Sequence, residues 1–149
     1  MTTILVDREK KVMWSDSRLS DGHMKVGAKK VYKTKRVIVG LAGNLSLLAP
    51  LRRLVNGDRD AGGLLAGEDF EGVALYPTGR LMLYGQSPHP VEVTDRYVAI
   101  GSGGMAAMAA IISQQMAGVL EPDLQLAMRV ACDIDQATGP PIVQLSFSD

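Results

Sequence analysis

The chain has 149 residues, 46% of them hydrophobic, so it has the length of one domain over residues 1–149 and enough apolar content for one sizeable core. Its sixteen basic and sixteen acidic residues cancel, which leaves no overall cationic charge to hold nucleic acid or an anionic membrane. A single cysteine, two widely spaced histidines and no apolar run near about 20 residues further predict a cytoplasmic protein without a disulfide, metal, cofactor or membrane span.

The first half of the chain predicts mainly strands. Short apolar segments alternate with charged residues, and the two nearest the N-terminus are spaced as in a hairpin. The run Val37-Ile38-Val39-Gly40-Leu41 has no polar face, which is typical of an interior strand covered on both sides. Asn44 can then cap a helix with leucines at helical spacing, and Asn56-Gly57 can end it. We predict strands over 3–7, 11–16, 30–33 and 37–41.

Residues 58–71 predict a loop in place of a second long helix. The segment is rich in glycine and aspartate and has few large apolar residues, so at most one helical turn is expected at Leu64-Leu65. Beyond it, Pro77-Thr78-Gly79 separates two apolar segments and indicates a hairpin. The remaining predicted strands cover 73–76, 81–84, 97–100 and 143–147.

Two helices are predicted in the second half. Gly101-Ser102-Gly103-Gly104 opens the first, which Gly118 ends, and the second runs from near Pro122 to about Gln136. We expect the apolar stripe of the first helix to pack in the core, with an adaptable binding face as the alternative. That stripe comprises Met105, Met108, Ile112, Met116 and Val119. Together the elements suggest an α+β fold with two stacked sheets and helices outside them.

The N-terminus itself carries a chemical signal, because the chain begins Met1-Thr2-Thr3. Initiator methionine is readily removed when a small residue follows, and removal would leave Thr2 with a free α-amine beside its own hydroxyl. The unperturbed pKa of an α-amine, about 7.7 to 8.0, lets it accept the hydroxyl proton near neutral pH. Nucleophile and base would then belong to one residue.

Five segments in order along the chain resemble those of the β-type proteasome subunits, and in particular the HslV-like threonine peptidases, which also begin Thr-Thr-Ile after methionine. The likeness covers nearly the whole chain. It implies an N-terminal nucleophile (Ntn) hydrolase fold, a four-layer α-β-β-α sandwich of two antiparallel sheets, here with one outer helical layer shortened. These five segments are Asp16-Ser17-Arg18, Lys29-Lys30-Val31, Gly40-Leu41-Ala42-Gly43, Gly101-Ser102-Gly103-Gly104 and Asp135-Gln136-Ala137-Thr138-Gly139.

The resemblance implies a catalytic role for several of these residues. Thr2 matches the nucleophile, and Lys30 matches the lysine whose cation favours the ionised hydroxyl. Asp16 matches the acidic partner that keeps Lys30 charged and oriented, although an ordinary ion pair is the alternative. Gly43 matches the residue whose backbone N–H forms the oxyanion hole, and the alternative is a simple turn at a helix entry.

Further residues match supporting and substrate-binding positions of the family. Ser102 and Asp135 match the residues that support the threonine amine, although serine in a glycine turn and aspartate near a helix end are common without function. Ser20 and Gly22 match the segment that pairs with an extended substrate backbone. Leu41 matches the floor of the first specificity pocket and suggests an apolar residue before the cut.

The resemblance implies a peptidase acting on peptides or unfolded proteins inside a homo-oligomeric ring or stacked rings, with an ATP-dependent unfoldase as a potential partner. The shortened helical layer bears on ring size and on unfoldase docking more than on the chemistry. One alternative is an inactive structural ring, because a retained Met1 would turn the Thr2 amine into an amide. Another is a phosphate cradle formed by Gly101–Gly104 before a helix, although this turn lacks the Gly-Lys-Ser/Thr sequence.

Overall fold

A computed structural model describes residues 2–21, 24–87 and 89–147 of the chain. The strands are β1 (Ile4–Asp7), β2 (Val12–Ser15), β3 (Arg18–Asp21), β4 (Met24–Gly27), β5 (Val31–Lys33), β6 (Ile38–Gly43), β7 (Phe70–Leu75), β8 (Leu81–Tyr84), β9 (Val91–Val93), β10 (Tyr97–Ile100) and β11 (Val143–Ser146). The helices are α1 (Leu48–Val55), α2 (Gly62–Leu65), α3 (Gly104–Met116) and α4 (Leu124–Ile134), with 3-10 turns at Leu45–Leu47 and Arg59–Ala61.

The long strands form two antiparallel sheets. The first sheet has the order β10-β1-β2-β11, and the second has the order β5-β6-β7-β8-β9. In the first sheet Ile4 pairs with Ser15 on one side and with Ile100 on the other, so the N-terminal strand lies in the interior of its sheet. Strands β3 and β4 form a separate two-stranded ribbon.

The two sheets pack face to face, with helices on the outer face of each. Ile4 and Val6 of β1 point into the layer between the sheets, whereas Leu5 points outward into a cluster formed with α3 and α4. Val39 and Leu41 of β6 likewise face outward, beneath α1. Side chains alternate across a strand, so a strand that is apolar on both faces must be covered on both. The predicted α-β-β-α layering is confirmed.

Most predicted elements are present, and the main omissions are three short strands. Strand β6 is buried through Ala42, as its apolar run predicts, and residues 58–71 contain only a 3-10 turn and the four-residue α2. Strands β3, β4 and β9 were not predicted. Every residue of β4 is exposed, and β9 has only three residues, so neither has the alternation of apolar and polar residues that identifies a strand.

The prediction that the methionine stripe of α3 packs in the core is wrong for four of its five residues; Met108 packs against the buried cluster of α3 and α4, and the others are exposed. Met105 is 87% exposed and Met116 is 85% exposed, whereas the buried positions of α3 are Gly104, Ala107 and Ile111. Across the helix pair, α4 contributes Ala127 and Ala131 to the same buried cluster. The small residues let α3 and α4 approach each other closely, which directs Met105 and Met116 away from the contact.

Several helix boundaries differ from the predicted ones. Asn44 caps the 3-10 turn at Leu45–Leu47, with its side chain accepting from the Ser46 N–H, and α1 follows that turn. Helix α4 begins after Pro122, because the Asp123 side chain accepts from the Leu126 N–H and so acts as the N-cap. Helix α3 ends at Met116, and Gly118 follows with φ of +88°.

Candidate active site

The residues before β1 are held between two other parts of the chain. Thr2 is 1% exposed, and its carbonyl oxygen lies 3.4 Å from the backbone N of Gly103, which donates to it. On the next residue, the carbonyl of Thr3 accepts from the backbone N–H of Asp16 at 3.2 Å. The candidate nucleophile is therefore fixed by backbone contacts to the glycine turn that precedes α3 and to the end of β2.

The glycine turn that contains Gly103 can lie this close because it lacks side chains at two positions. Gly101 has φ of +90°, and a Cβ atom there would stand 1.9 Å from the carbonyl oxygen of Thr2. A Cβ atom on Gly103 would stand 1.9 Å from Oγ1 of Thr3. Only glycine permits both the positive φ and the close approach. A phosphate cradle is disfavoured, because this turn packs on the N-terminal segment and follows an antiparallel sheet.

Asp16 and Lys30 form a buried ion pair next to Thr3. The ammonium nitrogen of Lys30 lies 3.0 Å from each carboxylate oxygen of Asp16, and the two side chains are 1% and 0% exposed. The same carboxylate accepts the backbone N–H of Thr3 at 3.0 Å and that of Gly139 at 3.0 Å. Asp16 thus holds both the lysine and the N-terminal strand.

Burial lowers the pKa of Lys30 below its ordinary value of 10.5, because desolvation disfavours the ammonium ion. The negative charge and hydrogen bond of Asp16 oppose that shift, as does the charge of Asp135. The charge of Lys30 therefore depends on Asp16, whose carboxylate favours the ammonium form that burial disfavours.

A chain of hydroxyl groups connects Asp135 to the N-terminal strand. Ser102 donates to Oδ2 of Asp135, and the Thr138 hydroxyl donates to the same oxygen at 2.6 Å. Since Thr138 has only one hydroxyl hydrogen, the Thr3 hydroxyl, 2.8 Å away, must donate to Thr138. Burial raises the pKa of Asp135, but the hydrogen bonds from Ser102 and Thr138 outweigh that effect and lower it below its ordinary value of 3.8.

A cavity of about 100 Å³ lies between the end of β6 and the glycine turn. Gly43, the last residue of β6, has φ of +116° and pairs with Phe70 at the start of β7. The cavity brings Gly43 and Ser102 to one opening, so a group bound there would meet the backbone of β6 on one side and the turn on the other. Its lining comprises Ala42, Gly43, Asp69, Phe70, Glu71, Gly101 and Ser102.

The structure groups the six predicted catalytic residues but not the three predicted substrate-binding residues. Ser20 lies on β3, opposite Lys25, and Gly22 lies outside the described residues. Leu41 is 0% exposed in the cluster beneath α1 and does not line the cavity beside Gly43. The roles of all nine residues stay predictions. The predicted catalytic residues are Thr2, Asp16, Lys30, Gly43, Ser102 and Asp135.

Sequence reasoning missed the contribution of Thr3 and Thr138 to this site. Both side chains are 0% exposed, and together they bridge the N-terminal strand to Asp135. The available signal was the second threonine of Met1-Thr2-Thr3, because a polar residue before a fully apolar strand needs a buried partner.

Neither a metal-binding cluster nor a membrane-spanning helix is found in the part of the chain that the structure describes. No group of three or more potential side-chain ligands comes together over residues 2–21, 24–87 and 89–147. In the same ranges, no helix has the length and apolar character to cross a bilayer.

Several solved structures share this fold along nearly the whole chain. Thiobacillus denitrificans BPH in complex with epoxomicin has 16% identity and a TM-score of 0.74, covering 97% of this chain and 97% of that one. Eukaryotic HslV from Trypanosoma brucei has 22% identity and a TM-score of 0.71, covering 97% and 98%. An Anbu mutant from Hyphomicrobium sp. strain MC1 has 16% identity and a TM-score of 0.69, covering 97% and 80%.

No protein-family model matches the chain, and no curated protein matches it at a significant level. The solved structures nevertheless share the fold over 97% of this chain. The chain therefore has the HslV-like and proteasome-like Ntn hydrolase fold that the sequence resemblance implies.

Proposed function

We propose that this protein is an N-terminal threonine peptidase whose mature chain begins at Thr2 after removal of Met1. The observation that carries the proposal is the contact between the N-terminal strand and the buried Asp16–Lys30 pair, through the 3.0 Å hydrogen bond from the Thr3 N–H to Asp16. Burying two charges costs desolvation free energy that their attraction offsets only in part, so a catalytic role is a reason for the chain to keep this pair. Here it lies one residue from the only group that can combine a nucleophile with its own base.

The chemistry follows from that arrangement. The Thr2 hydroxyl oxygen bonds to the scissile carbonyl carbon, and its proton moves to the α-amine of the same residue. The backbone N–H of Gly43 stabilises the resulting oxyanion. The C–N bond then breaks, and the protonated amine returns the proton to the leaving nitrogen, which leaves an ester on Thr2. Water, deprotonated by the amine, hydrolyses the ester and frees the threonine.

Lys30 and Asp135 bias the proton transfers in opposite directions. The positive charge of Lys30 favours the ionised Thr2 hydroxyl and lowers the proton affinity of the amine. The Asp135 carboxylate, which accepts a hydrogen bond from the Ser102 hydroxyl, stabilises the positive charge of the amine once it is protonated. Asp16 acts on both by keeping Lys30 charged, because its carboxylate raises the pKa that burial lowers.

We further propose that the protein works as a cytoplasmic homo-oligomeric ring or as stacked rings, on peptides or unfolded chains. An isolated subunit with a free N-terminal threonine would cleave without control, whereas closed rotational symmetry encloses the sites. An ATP-dependent unfoldase is a potential partner. Neighbouring subunits of the ring could pack on the exposed apolar stripe of α3, which includes Met105 and Met116.

The decisive experiment compares mature wild type with Thr2→Ala and Thr2→Ser. Intact-mass measurement should show loss of Met1, and Thr2→Ala should abolish hydrolysis of unstructured peptides because nucleophile and proton transfer are both affected. Thr2→Ser is the matched control, since it keeps a hydroxyl beside the amine and should keep measurable turnover. Epoxomicin, which Thiobacillus denitrificans BPH binds, should inhibit the wild type.

The result that overturns the proposal is equal turnover in wild type and Thr2→Ala. A mature chain that retains Met1, forms a ring and hydrolyses no peptide would instead support the inactive structural ring.

A further inference from the structure

The cavity beside Gly43 has an apolar floor and a charged rim. Ala42 and Phe70 are 4% and 6% exposed and form the floor, while Asp69 and Glu71 line the same cavity and are exposed. An apolar floor with carboxylates at its edge suits a long aliphatic side chain that ends in a cation, because the stem lies on apolar atoms while the charge stays at the rim.

The sheet register places Glu71 on the side of the sheet where the candidate catalytic residues lie. Glu71 pairs with Ala42, and directly paired residues of antiparallel strands project to the same face. Ala42 belongs to the core between the two sheets, and a Cβ atom on Gly101 would stand 3.3 Å from the Ala42 methyl group. Glu71 therefore projects toward the glycine turn and not toward α1.

Asp69 lies on the same opening, immediately before β7. Its carbonyl oxygen would stand 3.4 Å from a Cβ atom on Gly43, so the backbones of the two residues are in contact. Over the described residues, neither the Asp69 nor the Glu71 carboxylate has a hydrogen bond or an ion pair. Two carboxylates of like charge that make no ion pair favour the binding of a cation between them.

We infer that this cavity makes the peptidase prefer substrates with a lysine or arginine side chain close to the scissile bond, and this inference rests on the proposed function. The substrate cation would lie between the Asp69 and Glu71 carboxylates while its peptide carbonyl meets the backbone of Gly43. This preference is separate from the apolar one suggested by Leu41, which does not line the cavity.

The first step of the test finds the position of the preferred side chain. Mature wild type is incubated with an unstructured peptide library, and mass spectrometry of the products shows whether lysine and arginine are enriched within two residues of the cut. A pair of peptides is then made that differs only at the enriched position, with lysine in one and norleucine in the other. The measured quantity is the ratio of their kcat/KM values.

Glu71→Gln and Asp69→Asn should each lower that lysine-to-norleucine ratio by up to about fivefold, because the amide keeps a hydrogen-bond acceptor but loses the negative charge. Glu71→Lys should reverse the preference and favour a peptide with glutamate at the same position. Glu68→Gln is the matched control, since Glu68 is an exposed acid three residues from Glu71 that does not line the cavity. Raised salt should reduce the ratio in wild type.

Two failures are distinguishable. A wild type that cleaves the lysine and norleucine peptides equally, or an unchanged ratio in Glu71→Gln and Asp69→Asn, overturns the inference and leaves the peptidase proposal intact. A wild type that hydrolyses no peptide, with Thr2→Ala indistinguishable from it, overturns the proposed function and the inference with it.

Discussion

Asp16→Ala should destabilise the folded protein by about 3–5 kcal/mol, the range for removing one partner of a buried ion pair. The ammonium group of Lys30 is within 3.0 Å of Asp16 and 1% exposed, so the variant keeps a desolvated charge without its carboxylate. The backbone N–H groups of Thr3 and Gly139 lose their acceptor as well, which adds to the cost.

The double variant Asp16→Ala/Lys30→Met should recover part of that loss, because it removes the uncompensated charge along with its partner. We expect its free energy of unfolding to be lower than that of wild type, but higher than that of Asp16→Ala. Lys30→Met alone should cost less than Asp16→Ala, since the Asp16 carboxylate still accepts the backbone N–H groups of Thr3 and Gly139.

The pH dependence gives an independent check on the same charge. Burial lowers the pKa of folded Lys30 below 10.5, so between the two values the unfolded chain binds more protons and the unfolding free energy rises with pH. Removing Asp16 removes a cause that raises this pKa, so the window widens. Asp16→Ala should therefore recover stability as the pH rises, more than wild type does.

The assay is urea unfolding followed by circular dichroism, at one fixed protomer concentration because assembly shifts apparent stability. All variants carry Thr2→Ala, so that no chain digests another. A loss below about 1 kcal/mol for Asp16→Ala, or a double variant whose loss equals the sum of the single losses, would refute the reasoning about the buried pair.

Two further predictions concern the surroundings of the N-terminal strand. Gly101→Ala should lower both peptide turnover and the melting temperature, because the added Cβ would overlap the Thr2 carbonyl at 1.9 Å and the backbone has φ of +90°. Gly63→Ala, in open space on α2, should lower neither and should slightly raise the melting temperature, because alanine is the better helix former. Unchanged turnover in Gly101→Ala would contradict the packing described. Asp135→Asn should destabilise the protein most above pH 3.8 and progressively less as the pH falls through the lowered pKa of folded Asp135, because a carboxyl group with a lowered pKa stabilises the fold only while it is ionised. The melting temperatures of wild type and variant at neutral and at acid pH test this prediction. An equal difference in melting temperature at both pH values would count against it.

Local sequence patterns were sufficient where a strand or helix is defined by its own residues. The apolar run of β6 required cover on both faces, and the structure provides it with the first sheet inside and α1 outside. The composition of residues 58–71 likewise excluded a long helix. The pattern gave the wrong buried face for α3. A stripe of apolar residues at helical spacing does not reveal that another face of the helix, with Ala107, packs against the alanines of α4.

The sequence alone supplied the candidate groups of the site: a threonine directly after Met1, an Asp-x-Arg segment, Lys30 and a Gly-Ser-Gly-Gly turn. Only the tertiary structure decided which of these groups meet. Asp16 and Lys30 pair across 14 positions, and Thr3 bonds to Thr138 across 135. Only the register of β6 with β7 shows that the exposed acids Asp69 and Glu71 lie beside Gly43. Contacts between distant residues depend on how sheets stack and pair, and no local pattern encodes that geometry.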